Sequence, residues 1–310
     1  MGRRAGRPRL LAIVGPTAAG KSALGIAVAE RVGGEIVSCD STAVYRGFDI
    51  GTDKVPPALR RGIRHHLIDI VDAGESYTAA RYARAAAAAV RRITAAGNLP
   101  IVVGGSGLYY RALTRGLFDG PGRDEALRGR LTRIARGRGV EQLHRMLARV
   151  DAPSADRIHP RDEKRLVRAL EVYRLTRRPL SAHFRETRPP LAEYDVTAFA
   201  IRLEASVTAA RVARRVERQF EAGLLAEARG LLAAGVPASA HPFSGLVYRQ
   251  VLEHLNGVRD EAATRELIVR ANRQYARRQL IWFRKEPNLH WIDLPGEHAD
   301  AAQRVLCRMT

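Results

Sequence analysis

Residues 10–22, LLAIVGPTAAGKS, decide how this chain is read, together with the acidic turn Asp40-Ser41 that follows about one βαβ step later. Gly15, Gly20, Lys21 and Ser22 fit the pattern G-x-x-x-x-G-K-[ST], with Pro16, Thr17, Ala18 and Ala19 between the glycines; the backbone N–H groups of such a loop point inward and cradle a chain of phosphates. The apolar run from Leu10 to Val14 predicts a buried strand, and ALGIAVAERV after Ser22 predicts a helix whose N-terminus faces the anion. That order of strand, loop and helix distinguishes a phosphate loop from a chance Gly-rich turn. Gly33-Gly34 closes the helix, and EIVSCD, residues 35–40, supplies a second short strand. Its end brings Asp40 and Ser41 to the carboxyl edge of the sheet, where ligands of open α/β sheets collect. Asp40 has three readings at this point: a magnesium-supporting carboxylate, a general base, or a cap for the turn that follows.

Composition narrows the partners. The chain has 310 residues, enough for a large core with an inserted unit, and 46% of them are hydrophobic. Lys and Arg number 52 against 32 Asp and Glu, a formal charge of +20. Such a field attracts polyanions, nucleic acid first and an anionic membrane surface second. Cys39 and Cys307 stand far apart without neighbours at metal-ligand spacing, which argues against a disulfide framework or a zinc site. The basic start MGRRAGRPRL lacks an apolar core segment, and no run approaches the length of a membrane helix, so a cytoplasmic protein is expected.

Residues 1–9 are expected to form a disordered basic arm. The polar, glycine-punctuated stretch STAVYRGFDIGTDKVPP, residues 41–57, reads as a functional loop. In it Tyr45 and Phe48 beside Arg46 and Lys54 suit an unstacked base or a phosphate, or else simple packing against the core. His65 and His66 point to opposite faces of an extended segment and read as structural rather than as metal ligands. Ser76 or Thr78 caps a long helix that Gly97 ends. Ile101 to Val103 form another buried strand, and Gly104-Gly105-Ser106-Gly107 a second tight loop on the same side of the sheet, suited to close approach of a ligand or to a plain strand-to-helix turn.

Beyond Thr114 no apolar strand occurs until TAFAIRL, residues 197–203. Residues 115–196 therefore read as an inserted, mainly helical domain, with the core split between 10–114 and 197–310. In the insertion Lys164, Arg165 and Arg168 share a helix face, either solvated or tracking phosphates. A basic amphipathic helix follows from about residue 208, a further helix starts in GLVYRQV, a basic helix spans 271–285, and HWIDL is a candidate last strand. Neither G-x-G-x-x-G, G-x-S-x-G nor H-E-x-x-H is present, which removes nicotinamide, hydrolase and zinc-protease readings.

In this order and spacing, GPTAAGKS, DST-VYRGFDIGT, HHLIDI, LPIVVGGSGLYYRAL, RIHPRDEKRLVRALEVY and RQYARRQLIWFRKE resemble the bacterial tRNA dimethylallyltransferases, over about residues 10–293. The resemblance implies a P-loop NTPase-like parallel sheet core whose helical insertion grips a tRNA anticodon stem-loop. It also implies transfer of the dimethylallyl group from dimethylallyl diphosphate to N6 of adenosine 37. Residues 15–22 would hold the diphosphate, with Mg²⁺ held partly by Ser22; Arg215 matches the second arginine of the family's Arg-Ile-x-x-Arg-Val block. Asp40 matches the carboxylate that accepts the N6 proton, and Ser106 sits where the family has Thr near the reacting nucleotide. Asp40, Ser41, Thr42 and Ala43 would line the approach of an extruded base. Arg128, the Lys164, Arg165, Leu166, Val167 and Arg168 block, Arg249 and Arg273 fall at positions implied to bind tRNA. The chain departs from the pattern at Ala43, where many members have Gln, at Ser106, and at Val247, where the pattern has Gly. A monomer is expected. The competing readings are a P-loop small-molecule or nucleotide kinase, and a non-catalytic RNA-binding protein with a vestigial loop.

Overall fold

The computed structural model of the chain describes residues 6–118 and 120–309. Most of the expected basic arm thus lies outside the described residues. Its last residues belong to the fold: the Pro8 carbonyl accepts from Asp195 N–H at 2.9 Å, and Arg9 opens the first strand.

Six strands, β1 (Arg9–Val14), β2 (Gly34–Ser38), β3 (His65–His66), β4 (Leu99–Gly104), β5 (Asp195–Ile201) and β6 (Leu289–Ile292), form one parallel sheet in the order β3-β2-β4-β1-β5-β6. The fold is α/β of the P-loop type. β1 is interior, which is why Leu10 to Val14 are apolar without alternation: both faces are covered. From β1 the chain steps across β4 to reach β2, whereas β5 lies on the other side of β1. The order therefore reverses at β1, and a crevice opens at the carboxyl ends of the strands there.

The chain divides into two compact units, residues Met1–Thr114 with Pro190–Thr310, and Arg115–Pro189. Before the second unit come helices α1 (Lys21–Val32), α2 (Ala79–Ala95) and α3 (Gly107–Arg115); within it α4 (Glu125–Arg138), α5 (Val140–Val150), α6 (Ala152–Ala155), α7 (Glu163–Thr176) and α8 (Leu180–Glu186); after it α9 (Ala205–Glu221), α10 (Leu224–Ala233), α11 (Tyr248–Leu255), α12 (Glu261–Phe283) and α13 (Ala299–Cys307). On one face of the sheet Leu11, Ile13, Ile36, Ile101, Phe199 and Ile201 pack with Leu24 and Val28 of α1 and Val305 of α13. Thr78 is the cap of α2, its hydroxyl accepting from Arg81 N–H at 3.1 Å.

Three boundaries differ from expectation. The second unit ends at Pro189 rather than residue 196, because the tail of that stretch is anchored in the core: Leu191 and Tyr194 are buried, Glu193 pairs with Arg91 at 2.7 Å and the Tyr194 hydroxyl reaches Thr94 at 3.2 Å. The GLVYRQV helix starts only at Tyr248, after a 3₁₀ turn at His241–Ser244. The basic helix begins at Glu261, well before the 271 that the motif suggests, since Asp260 caps it by accepting from Ala263 N–H at 2.8 Å.

The second unit has its own core of Leu131, Leu143, Leu147, Leu166, Val167 and Leu170. Among the described residues no helix is long and apolar enough to cross a membrane.

Candidate active site

The phosphate loop connects β1 to α1 across the crevice. Gly20 caps α1 with φ 90°, a left-handed conformation that a side chain resists, and with no side-chain cap there the first N–H groups of α1 are left for an anion. Ser22 is exposed on the first helical turn. The Lys21 ammonium donates to the Pro16 carbonyl at 2.6 Å. Burial pulls its pKa down to about 8, while the charge of Asp40 pushes it up and that of Arg215 pushes it further down. The charges of Asp40 and Arg215 thus both reach Lys21.

The outer side of the loop is clamped. Gln279 of α12 accepts from Thr17 N–H at 2.8 Å, and Arg215 of α9 donates to the Thr17 hydroxyl. Arg211, one turn earlier on α9, donates to the Ala18 carbonyl at 2.6 Å and pairs with Glu297 at 2.6 Å; Gly296 N–H donates to the Ala19 carbonyl at 2.9 Å. Arg215 also lies 3.3 Å from the Asp53 carboxylate.

Asp40 follows β2 directly. Its Oδ1 accepts from Thr42 N–H at 2.8 Å, from the Thr42 hydroxyl at 2.7 Å and from Ala43 N–H at 3.3 Å. The capping reading therefore holds for one oxygen. Oδ2 has no hydrogen-bond partner among the described residues, so the other two readings remain open to it. Ser106, buried at the end of β4, is tied to the same turn: its N–H donates to the Cys39 carbonyl at 3.1 Å and its Oγ accepts from Ser41 N–H at 3.0 Å. A residue the sequence reading passed over joins them. Tyr275 of α12 is half-buried, and burial followed by the Asp40 charge raises its pKa to about 12.

The loop after Asp40 decides between the two readings of its aromatics in favour of packing against the core. Tyr45 and Phe48 are 1% and 0% exposed and offer no face to a base. Phe48 packs edge-on against Phe243 and Tyr248, Lys54 is enclosed by Asp49 and Asp69 at 2.6 and 2.5 Å, and Arg46 pairs with Asp72 at 2.7 Å. Glu227 of α10 accepts from the Asp49, Ile50 and Gly51 N–H groups at 2.9, 2.8 and 3.4 Å and from the Tyr248 hydroxyl. This carboxylate folds residues 49–51 into place and so positions Asp53. Ala43 and Val247 are both buried, and the right-handed backbone at Val247 (φ −85°) suits a β-branched residue. His66 holds Glu35 at 2.6 Å and His65 bonds the Ile63 carbonyl at 2.8 Å, both structural. No cluster of three or more His, Cys, Asp or Glu able to hold a metal occurs among the described residues.

In the second unit the block expected on an RNA face divides by role. Lys164 and Arg165 are exposed on α7. Leu166 and Val167 are 0% and 5% exposed and face the unit's core, because they supply the apolar stripe of the same helix. Arg168 and Arg128 converge on Glu171, whose side chain is wholly buried, at 2.7 and 2.8 Å; the Asp124 N–H joins them at 2.9 Å. Burial pushes the Glu171 carboxyl up, but these donors outweigh it and hold the pKa at about 2. Beside them lies a groove of about 740 Å³ in whose lining Arg123, Arg128, Arg133, Arg136 and Lys164 outnumber Glu125 and Glu163, with an edge of Val167 also reaching it. In the first unit a larger cavity of about 1060 Å³ meets the phosphate loop only at Pro16 and is edged by Arg270, Arg273 and Arg277 of α12 and by Arg284 just after it. It includes neither Lys21 nor Asp40, so the reaction cleft lies elsewhere. Arg249 and Arg273 are exposed on α11 and α12.

A parallel sheet whose phosphate loop faces a half-free carboxylate across the strand ends defines a P-loop protein built to act on a phosphorylated substrate. The family model described as IPP transferase matches residues 43–286, and the chain belongs to that family. It is 45% identical to the tRNA dimethylallyltransferase of Geobacter metallireducens and 48% identical to that of Solibacter usitatus, each over 97% of both chains. Among solved structures it resembles the tRNA isopentenylpyrophosphate transferase of Bacillus halodurans (34% identical, 97% of this chain and 95% of that one, TM-score 0.72). It also resembles a eukaryotic dimethylallyltransferase captured acting on tRNA (25% identical, 96% and 78%, TM-score 0.80). These relatives favour the transferase reading over the kinase.

Proposed function

We propose that this chain transfers the dimethylallyl group from dimethylallyl diphosphate to N6 of adenosine 37, beside the anticodon of tRNA. The observation that carries the proposal is the placement of Asp40: one oxygen fixes the turn, and the other is free, on the side of the sheet where its charge acts on Lys21. The N6 lone pair attacks the allylic carbon, the carbon–oxygen bond to diphosphate breaks with its electron pair leaving on the phosphate, and the N6 proton passes to Asp40 Oδ2. The leaving charge is met by the amides of residues 18–22, by Lys21 and by Arg215. Ser106, held against Ser41, steadies the acceptor turn from below and contacts the nucleotide.

The residues present fit a magnesium ion that arrives with the diphosphate. No multi-carboxylate cluster occurs among the described residues, so the Ser22 hydroxyl would hold the ion together with the diphosphate itself. When bound, the ion neutralises phosphate charge. The basic groove of the second unit, with Lys164 and Arg165, suits the backbone of the anticodon stem-loop, and Arg249 and Arg273 add contacts from the first unit. The chain works as a monomer in the cytoplasm, where its RNA substrate resides.

Incubation with tRNA and either labelled dimethylallyl diphosphate or γ-labelled ATP tests the proposal. Label enters RNA only from the prenyl donor; phosphate transfer from ATP without prenylation refutes it in favour of a kinase.

A further inference from the structure

We propose that Gln279 is a positioning residue that sets the separation between the phosphate loop and the loop carrying Ser106. The inference rests on the transferase reading and deepens it. Gln279 is 7% exposed, and both ends of its amide are used: Oε1 accepts from Thr17 N–H at 2.8 Å, and Nε2 donates to the Gly105 carbonyl at 2.8 Å. Only one orientation of the amide is possible, because a flip would set NH₂ against N–H and oxygen against oxygen.

Each anchored residue leads to one half of the chemistry. Thr17 is fixed on its other side by Arg215 and belongs to the loop proposed to receive the departing diphosphate. Gly105 is followed by Ser106, whose bonds to Cys39 and Ser41 hold the turn that carries Asp40. The close approach is built in: a Cβ at Gly105 would collide with Gln279 Nε2 and lie 3.2 Å from the Gly15 carbonyl. One side-chain amide therefore spans from the leaving-group cradle to the proton-acceptor turn. Because Thr17 N–H is committed to Gln279, the inward amides for phosphate begin after it. Gln279 touches neither substrate in this scheme; it acts through the two loops. It also sits on α12, the helix that exposes Arg273, so RNA held on that helix bears on the same amide.

The test compares Gln279→Leu, which keeps the volume and removes both hydrogen bonds, with Gln279→Glu. The ionised glutamate keeps the acceptor for Thr17 and loses the donor to Gly105; the protonated acid restores both. For Gln279→Leu, kcat falls about 100-fold while KM for tRNA stays within about threefold, as expected when reacting groups are misplaced by about an ångström. For Gln279→Glu, kcat relative to the parent rises as pH is lowered from about 8 to 6, since burial against a carbonyl raises a carboxyl pKa. In the free Gln279→Leu protein, hydrogen exchange at the Thr17 amide quickens about tenfold or more. A Gln279→Leu protein with kcat within about threefold of the parent and a protected Thr17 amide overturns the proposal. Should the leucine variant fail to fold, a Gln279→Glu pH profile parallel to that of the parent overturns it equally. If the parent chain transfers no prenyl group but Thr17 exchange still quickens, the bridge stands and the transferase reading falls.

Discussion

Glu171→Gln is the substitution whose consequences the structure fixes most tightly. The carboxylate is fully buried inside the second unit and receives Arg128, Arg168 and the Asp124 N–H, an arrangement that holds its pKa at about 2 against an ordinary 4.5. A carboxyl shifted that far on folding contributes about 3 kcal/mol at neutral pH. The bridge-breaking argument agrees: removing one partner of a buried pair costs about 3–5 kcal/mol, and here the arginines, 24% and 34% exposed, are partly relieved by water, which favours the lower end.

The sign of the pH dependence follows from the direction of the shift. Because folding depresses the pKa, the contribution is complete above about pH 4.5 and is lost as pH falls through about 2. The measurement is hydrogen exchange over α4 and α7 with denaturant unfolding from pH 7 to 2. The parent loses about 3 kcal/mol of local stability through that acid range; Glu171→Gln starts lower by a similar amount and varies less, so the two converge near pH 2. Equal stability at pH 7, or parallel acid limbs, refutes the assignment of Arg128 and Arg168 as braces of this unit.

Four further outcomes follow from the same geometry. Asp40→Ala leaves tRNA affinity nearly intact and lowers transfer by about two to four orders of magnitude in single-turnover assays, and unchanged turnover removes Asp40 from the mechanism. Lys164→Ala with Arg165→Ala flattens the log–log salt dependence of tRNA binding by about 1.5 to 2, since two surface cations are lost; an unchanged slope shows that this face is only solvated. Arg168→Ala alone shows instead as destabilisation of the second unit in denaturant unfolding. Glu227→Gln weakens the clasp on residues 49–51 by about 1–3 kcal/mol and raises backbone exchange there, where a merely solvated glutamate would change neither.

What the sequence disclosed follows the range of the forces involved. β1, the phosphate loop and α1 were legible because an apolar run, a glycine spacing and a helix start are all local. Asp40 was legible as a position, and its capping bonds to Thr42 and Ala43 are local too. In the 41–57 loop the sequence leaves base contact and core packing both open, because what buries Phe48 lies far along the chain, in Phe243 and Tyr248, and the carboxylate that folds residues 49–51 is Glu227. Gln279 lies inside the block RQYARRQLIWFRKE, but nothing in that block distinguishes it: a glutamine in an arginine-rich stretch reads as surface until α12 is laid beside the strand ends. The Arg168–Glu171 pair was readable at helical spacing, but Arg128 reaches the same carboxylate from another helix, and only the fold brings it there.

The state of the cations in the free cradle bears on how the site handles a leaving group. Lys21 rests on a neutral carbonyl, whereas Arg215 bonds the Thr17 hydroxyl and pairs with Asp53 at 3.3 Å. The lysine therefore has no carboxylate pair among the described residues that an arriving diphosphate must break. It exchanges a neutral acceptor for an anionic one, and charge-assisted bonds of that kind are about twice as strong. Burial keeps the Lys21 ammonium poorly solvated, which is why its pKa has dropped to about 8, and that missing solvation is what an anion at the loop would restore. The field is assembled before the carbon–oxygen bond breaks, so negative charge growing on the phosphate meets donors that need little rearrangement. Asp40 belongs to the same balance: its negative charge holds up the lysine pKa that burial lowers.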